Sequence, residues 1–322
     1  MSEKLSCIRL EERNLERENK LVSLIQTARS LELDKKTDSF ANAEMIMKRG
    51  NHIGSHIYCY GQLERTMKKA RDHINCCESA GEDFYSGAII LAETLTAAKG
   101  RFDRVWHASL GGAWFSVTLA SETLPEYHSQ YSLTTGVACC ELLREYGINA
   151  NLQWVNNLLV DGKKIGGILL ESFVSEMHHE TYVLAGIGIN VNNNFPAEIP
   201  GISAKQILGI ELDIDEFYSR LVPKLSFYFG LLSDYESQVL KSLYEDEKKA
   251  SNPIIESWKS ISDTIGRTVD FYEVGRGISC NGKTHPYRAK VVGIDQDGSI
   301  ILQRKQDDSI IKRNSGELVY VD

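Results

Sequence analysis

No run in this sequence approaches the roughly 20 apolar residues that cross a bilayer as a helix, and Met1-Ser-Glu-Lys-Leu-Ser lacks the apolar core of a secretion signal. A helical membrane span is excluded on this reading, and the expected home is the cytoplasm. An excess of positive charge is also missing. Against 36 Lys/Arg stand 44 Asp/Glu, a formal net charge of -8, which argues against attraction of the whole protein to nucleic acid or anionic lipid but leaves room for a local basic site. The seven cysteines, at positions 7, 59, 76, 77, 139, 140 and 280, form no Cys-x-x-Cys pair and are odd in number. Neither a zinc ribbon nor a disulfide framework fits them, so they are read as reduced and structural. What remains is the composition of a soluble globular protein, 42% hydrophobic and 25% charged over 322 residues, with room for two or three domains.

Residues 1–52 form an N-terminal segment whose stretch from Ile8 to Leu33 is rich in Glu, Arg and Leu and reads as helical without a clean heptad. Ten Lys/Arg balance nine Asp/Glu over residues 1–50, so this is no basic arm for DNA. From His56 the pattern is that of an α/β domain over residues 53–262. His56–Tyr60 reads as a strand, Leu63–Ile74 as a helix, Gly87–Glu93 as a buried strand, Tyr131–Tyr146 as a helix stopped by Gly147, and Thr181–Ala185 as a further strand. Asp215–Leu240 is a long helical pattern with an aromatic stripe, which is core packing, and Pro223 is where it would kink. Lys248–Asn252, ahead of Pro253, reads as a junction. Over residues 263–322 the character changes to short strands with turns at Asp297-Gly298 and Asn314-Ser-Gly316, the pattern of a small β barrel.

The chemistry centres on Trp154 to Glu171. Two apolar runs, Leu158–Val160 and Ile168–Leu170, flank an Asp161-Gly162 turn, and Lys164 follows beside Gly166-Gly167, a pair that lets a ligand or second backbone come close. An ordinary exposed lysine after a hairpin fits the same residues. Upstream, Thr96-Ala-Ala-Lys99-Gly100-Arg101-Phe-Asp-Arg104-Val-Trp106 places three cations in six residues among small side chains. Such a loop suits a cover for phosphate, or is simply a solvated basic loop. Gly186-Ile-Gly188-Ile-Asn190 lacks the third glycine and helix start of a dinucleotide fingerprint, so a Rossmann reading fails. Thr66 reads as a helix N-cap, whose hydroxyl would accept a backbone hydrogen bond.

Gln153-Trp-Val-Asn-Asn-Leu and Lys164-Ile-Gly-Gly-Ile-Leu-Leu-Glu171 resemble the Lys-Trp-Pro-Asn-Asp-Leu and Lys-hydrophobic-Ala-Gly-Ile-Leu-x-Glu signature of biotin protein ligases. The loop from Leu95 to Trp106 resembles that family's Gln-Thr-Ala-Gly-Arg-Gly-Arg-x-Gly-Arg-x-Trp, with Lys99, Arg101 and Arg104 on its three arginines. Glu64-Arg-Thr-Met stands at its Asp-Ser-Thr-Asn, and Gly186-Ile-Gly-Ile-Asn-Val matches unbroken. Phe195-Pro to Ala204-Lys-Gln-Ile is similar to its second ligand-covering loop, and residues 289–319 to its C-terminal SH3-like domain.

The resemblance implies an α/β fold, a mixed-sheet catalytic domain followed by an SH3-like β barrel. It implies a ligase that joins biotin and ATP into biotinyl-AMP and passes biotin to a lysine of a carrier domain. Lys164 and Arg101 would be catalytic, with Thr66, Thr96, Lys99, Gly100, Arg104, Trp106, Trp154, Gly166 and Gly167 binding substrate. Asn156, Gly186, Gly188 and Asn190 would take the nucleotide. No metal ligand is assigned, Mg²⁺ arriving with ATP. The implied partner is a biotin carboxyl-carrier protein or domain of a carboxylase, with no DNA and no membrane, and a homodimer is left open. Arg65, Leu95, Gln153 and Asn157 depart from the pattern. Gln153 and Asn157 remove one positive and one negative charge together, which a fold tolerates better than one stranded ion. A non-catalytic biotin- or carrier-binding relative and a lipoate or octanoyl ligase remain as alternatives.

Overall fold

The computed structural model describes residues 13–120, 124–196, 198–245, 251–273 and 286–321. Seven strands make one mixed sheet in the order β1-β2-β3-β7-β6-β5-β4: β1 (Ile57–Leu63), β2 (Ile89–Leu95), β3 (Ala113–Ala120), β4 (Asn151–Gln153), β5 (Asn157–Val160), β6 (Lys163–Val174) and β7 (Thr181–Ile189). Only β1 and β2 pair in parallel, joined through helix α3 (Thr66–Ala80). The other neighbours are antiparallel. Successive side chains of a strand point to opposite faces, and here the two faces have different partners. Ile89, Phe115, Val117, Val183, Ala185 and Ile187 pack on the helical side, where α1 (Leu15–Thr37), α2 (Ala43–Arg49), α5 (Tyr131–Glu145) and α7 (Ile214–Glu245) lie. Ile90, Ala92, Tyr182 and Leu184 face the other way, against Met67, Ala70 and Ile74 of α3.

Among the described residues the expected elements are found with shifted edges; residues 8–12 of the helix read over Ile8–Leu33 lie outside them. The strand read from Thr181 runs on through both glycines to Ile189, and β6 starts at Lys163, so Lys164 sits on a strand and not on the turn before it. Asp161 and Gly162 hold φ of 49° and 75°, both left-handed as a tight hairpin between β5 and β6 requires. α7 continues past Pro223 without interruption, and its aromatic stripe is core, as Phe217, Tyr228 and Phe229 show.

The N-terminal residues wrap the sheet. Asn14 N donates to Cys59 O at 2.9 Å, the Glu18 carboxylate accepts from Cys59 N at 2.9 Å, and α1 and α2 pack along α7. This covers part of the outer edge of β1, which would otherwise expose unpaired backbone groups. The cysteines of the described residues, 59, 76, 77, 139 and 140, are free thiols. Two short helices, α4 (Pro125–His128) and α6 (Ala204–Leu208), complete the layer, and α8 (Pro253–Ile261) follows the junction expected at Lys248–Asn252, of which residues 248–250 lie outside the described residues.

The C-terminal strands β8 (Thr268–Tyr272), β9 (Tyr287–Ile294), β10 (Ile300–Arg304), β11 (Ile310–Arg313) and β12 (Glu317–Tyr320) form an antiparallel sheet in the order β11-β10-β9-β8-β12. Asp297-Gly298 turns β9 into β10 as expected. Asn314-Ser-Gly316 makes no hairpin: β12 crosses to the far edge and pairs with β8, which brings Glu317 toward the seven-stranded sheet.

Candidate active site

A cavity of about 380 Å³ opens on the α3 side of the large sheet. Its floor follows from the strand period. Gly186 and Gly188 on β7 lie opposite Leu169 and Gly167 on β6, all on one face, and each glycine makes room for a side chain. A Cβ on Gly188 would lie 2.9 Å from Trp106 Nε1, one on Gly186 2.5 Å from Met67 Sδ, and one on Gly167 3.1 Å from Lys164 Cε. The three glycines thus shape the pocket by close approach, whereas Gly166 packs inside the sheet against Gly188 O and does not line it.

Lys164 is partly buried, not the exposed hairpin lysine of the bland reading. Its Nζ lies 5.3 Å from the ring centroid of Trp106 and, among the described residues, makes no salt bridge or hydrogen bond. Burial, together with Arg104 and Arg101, lowers its pKa to about 8 against a smaller upward pull from Glu317. A cation with no ion pair among the described residues, at the wall of an apolar pocket, is suited to an anion. Its backbone is fixed by the second loop, where Ile202 N donates to Lys164 O at 3.1 Å and Phe195, Ile199, Pro200 and Gly201 line the opening.

The basic loop folds back as a small hairpin. Trp106 N donates to Ala98 O and Gly100 N to Arg104 O, at 3.0 and 2.8 Å. Phe102 takes a φ of 59°, a conformation costly for a bulky residue. Arg101 is buried enough that its pKa falls, and one of its guanidinium nitrogens reaches Asn156 Oδ1 at 3.4 Å. Arg104 pairs with both carboxylate oxygens of Glu317. Lys99, Gly100, Arg101, Arg104, Trp106, Trp154, Asn156, Lys164, Gly167, Gly186, Gly188, Asn190 and Thr66 all border the cavity. Thr96 does not; it is exposed, and its amide donates to Leu63 O.

Other groups take structural partners. Thr66 is the first helical residue of α3, with Arg65 in the cap position, so the cap reading of Thr66 fails. Asn156 Nδ2 donates to Ile168 O at 2.8 Å, and Asn190 accepts from Asn193 at 3.1 Å. Trp154 borders the pocket but is buried, donating from Nε1 to Gly298 O at 2.9 Å, which ties the β9–β10 turn to the catalytic sheet. Met67 and Ile199, each within a stretch read as family-like but not singled out, also line the cavity, as do His107, Glu317 and Leu318, which sequence reasoning missed; Glu317 is brought in only by the crossing of β12.

Residues 65–190 match the family described as biotin/lipoate A/B protein ligase. The bifunctional ligase/repressor BirA of Bacillus subtilis is 29% identical over 262 residues, covering 79% of this chain and 71% of the relative. The biotin–[acetyl-CoA-carboxylase] ligase of Paracoccus denitrificans is 29% identical over 225 residues, 67% of this chain and 84% of that one. Over residues 65–190, then, the chain is similar to the biotin/lipoate protein ligases, and the relatives it resembles are named biotin ligases. Among solved structures, the biotin protein ligase of Aquifex aeolicus in complex with biotin and ATP superposes with a TM-score of 0.60 at 22% identity, over 83% of this chain and 99% of that one, a likeness of fold. The expectation of no DNA partner has no support here, since the Bacillus relative is named a repressor as well as a ligase. No helix among the described residues is long and apolar enough to cross a membrane.

Within this site the departures from the signature have local partners. Arg65 pairs with Glu171 at 2.7 Å, and Arg71 binds the other oxygen of the same carboxylate. The long cation is therefore drawn to a residue of the Lys164 strand. Asn157 Nδ2 donates to Gln153 Oε1 at 2.8 Å across the β4–β5 pair. A neutral hydrogen bond stands where the signature has opposite charges.

Proposed function

We propose that this protein is a biotin protein ligase that activates biotin with ATP and transfers it to a lysine of a biotin carboxyl-carrier protein or domain. The observation that carries this reading is Lys164: a partly buried ammonium with no ion pair among the described residues, beside Arg101 and Arg104, over an otherwise apolar floor. An acid with an apolar body and a terminal carboxylate suits that geometry. In the first step the carboxylate oxygen attacks the α-phosphorus of ATP and pyrophosphate leaves. Lys164 holds the carboxylate, while Arg101 and Lys99 offset the charge that gathers on the phosphates, a preorganised electrostatic role. In the second step a carrier lysine amine attacks the acyl carbon, the acyl–oxygen bond breaks, and AMP departs. Trp106 and Gly188 supply one wall, and Asn156 and Asn190 present amides at the nucleotide end.

Glu317 is the one carboxylate among the described residues bordering the cavity, and Arg104 holds it. The Glu32, Glu141 and Glu145 cluster lies elsewhere and encloses Lys224 Nζ. Neither fits a resident metal, so Mg²⁺ belongs to the substrate as the counter-ion of ATP. The C-terminal sheet is read as SH3-like. Incubation with ATP, Mg²⁺ and biotin should release pyrophosphate, and lipoate in place of biotin should not. Release with lipoate alone favours a lipoate ligase; binding of biotin without release favours a non-catalytic relative.

A further inference from the structure

Glu317 lies 213 positions along the chain from its partner Arg104 and belongs to a different sheet. Yet its carboxylate faces the cations that the proposed function assigns to the adenylate. It accepts two hydrogen bonds from Arg104, and its charge also acts on Arg101 and Lys164, opposing in part the burial that lowers the pKa of each. A carboxylate with one charge and two in-plane oxygens is the nearest protein equivalent of a phosphate edge for a guanidinium. The pairing is also accessible: the side chain of Arg104 is 60% exposed and that of Glu317 20%. Exposed ion pairs of this kind are weak, because each side chain loses rotamer freedom and water screens the attraction. A phosphate held in place by the rest of a bound ligand can therefore take the arginine from the glutamate.

We propose that Glu317 is a positioning residue that stands in for the ligand's phosphate: it parks Arg104 against the C-terminal sheet until the adenylate phosphate displaces it. The inference rests on the biotin ligase reading of the pocket and adds a step to it. Phosphate binding and release of the loop from β12 are one event, so the C-terminal sheet competes with the nucleotide for Arg104. Phe102, stacked 4.8 Å from Arg101 and 5.6 Å from Arg104 in its left-handed conformation, sits at the bend between the two arginines.

The test is equilibrium binding of a non-hydrolysable biotinyl-adenylate analogue and of biotin alone to the full chain. Glu317→Gln should bind the analogue about three- to ten-fold more tightly than wild type and change biotin affinity by less than two-fold. Glu317→Asp keeps the charge but shortens the reach, and should show the same selective gain. In an Arg104→Ala background Glu317→Gln should have no further effect, whereas a general field effect on the pocket would persist there. Structural damage lowers affinity for both ligands, so a gain confined to the phosphate-bearing one is not a folding artefact. Weaker analogue binding in Glu317→Gln, or an undiminished gain in the Arg104→Ala background, overturns the inference. Failure of wild type to bind the analogue at all sinks instead the ligase reading beneath it.

Discussion

Two lysines of this protein, Lys164 and Lys224, are taken out of water and treated in opposite ways. Lys224 on α7 is fully buried and ringed by carboxylates, with its Nζ 2.8 Å from Glu32, 2.9 Å from Glu141 and 2.9 Å from Glu145. Burial disfavours its charge, but those acids more than offset this, and its pKa ends above the usual value. Lys164 on β6 has no such ring, and burial with two neighbouring arginines brings its pKa down to about 8. The first lysine is complete within the fold. The second is left without an ion pair among the described residues, and on the proposed function the ligand's carboxylate is its partner. Burial by itself therefore does not mark a functional charge; burial without a partner does.

The largest effect is expected on the completed side. Lys224→Met should leave Glu32, Glu141 and Glu145 crowded around an apolar side chain, and breaking a buried ion cluster at one partner costs about 3–5 kcal/mol. Urea unfolding reads the loss, while pyrophosphate release per folded molecule should hold. Burial pushes Glu145 up, but Lys35, Lys224 and Arg220 overcome it and hold the carboxyl at about 2. Because this folded value is below the unfolded one, its contribution is present above about pH 4.5 and is lost as pH falls toward 2. Lys224→Met should flatten that acid limb. A loss under about 1 kcal/mol would mean that the cluster is no more than a surface network.

On the incomplete side the effect should fall on chemistry. Lys164→Ala should lower kcat/KM for biotin at least about 100-fold, roughly 3 kcal/mol of transition-state stabilisation, with the melting temperature unchanged or raised. The sign follows from the depressed pKa: the folded state carries the cost of an unpaired ammonium below about pH 8, and the cost fades as pH rises through that value toward 10.5. A large drop in stability would place Lys164 with Lys224 and remove the contrast.

A third expectation sharpens it. With a folded pKa of about 8, wild-type kcat/KM for biotin should decline about tenfold per pH unit above that point as the ammonium deprotonates. The residual activity of Lys164→Ala should show no such limb. An alkaline limb retained in the variant would assign it to another group.

Much of this contrast was hidden in the sequence. Periodicity and turn residues located the strands, the α5 and α7 helices and the hairpin, because local preference and burial agree there. Lys164, the basic loop and Gly186-Ile-Gly188 were legible as motifs. Their geometry was not: the glycines serve side chains of Met67, Trp106 and Lys164 that come from other elements. Lys224 carried no signal within an aromatic helix, because its three acids lie on α1 and α5. Glu317 was invisible for the same reason. Asn314-Ser-Gly316 reads as a hairpin locally, and only the pairing of β12 with β8 carries the glutamate to the loop.

Gln153 and Asn157 test whether the pocket wall can be moved from one class to the other. They face each other across β4 and β5 through a single neutral hydrogen bond of 2.8 Å, with Gln153 buried and Asn157 partly so. Gln153→Lys alone should place an ammonium in a dry position opposite an amide, and should be the more damaging single change. Asn157→Asp alone should cost less, because the carboxylate is nearer solvent and the Gln153 amide can turn its NH₂ to donate to it. With both changes the two charges meet at hydrogen-bonding distance, and the double variant should recover a coupling energy of about 0.5–1.5 kcal/mol relative to the sum of the singles. Thermal unfolding of the four proteins, each with and without ATP·Mg²⁺, measures that term. If nucleotide binding also strengthens only in the double variant, the pair lies within reach of the phosphates. Strict additivity would mean that the lysine and aspartate do not meet, and that the neutral pair is no simple replacement for the charged one.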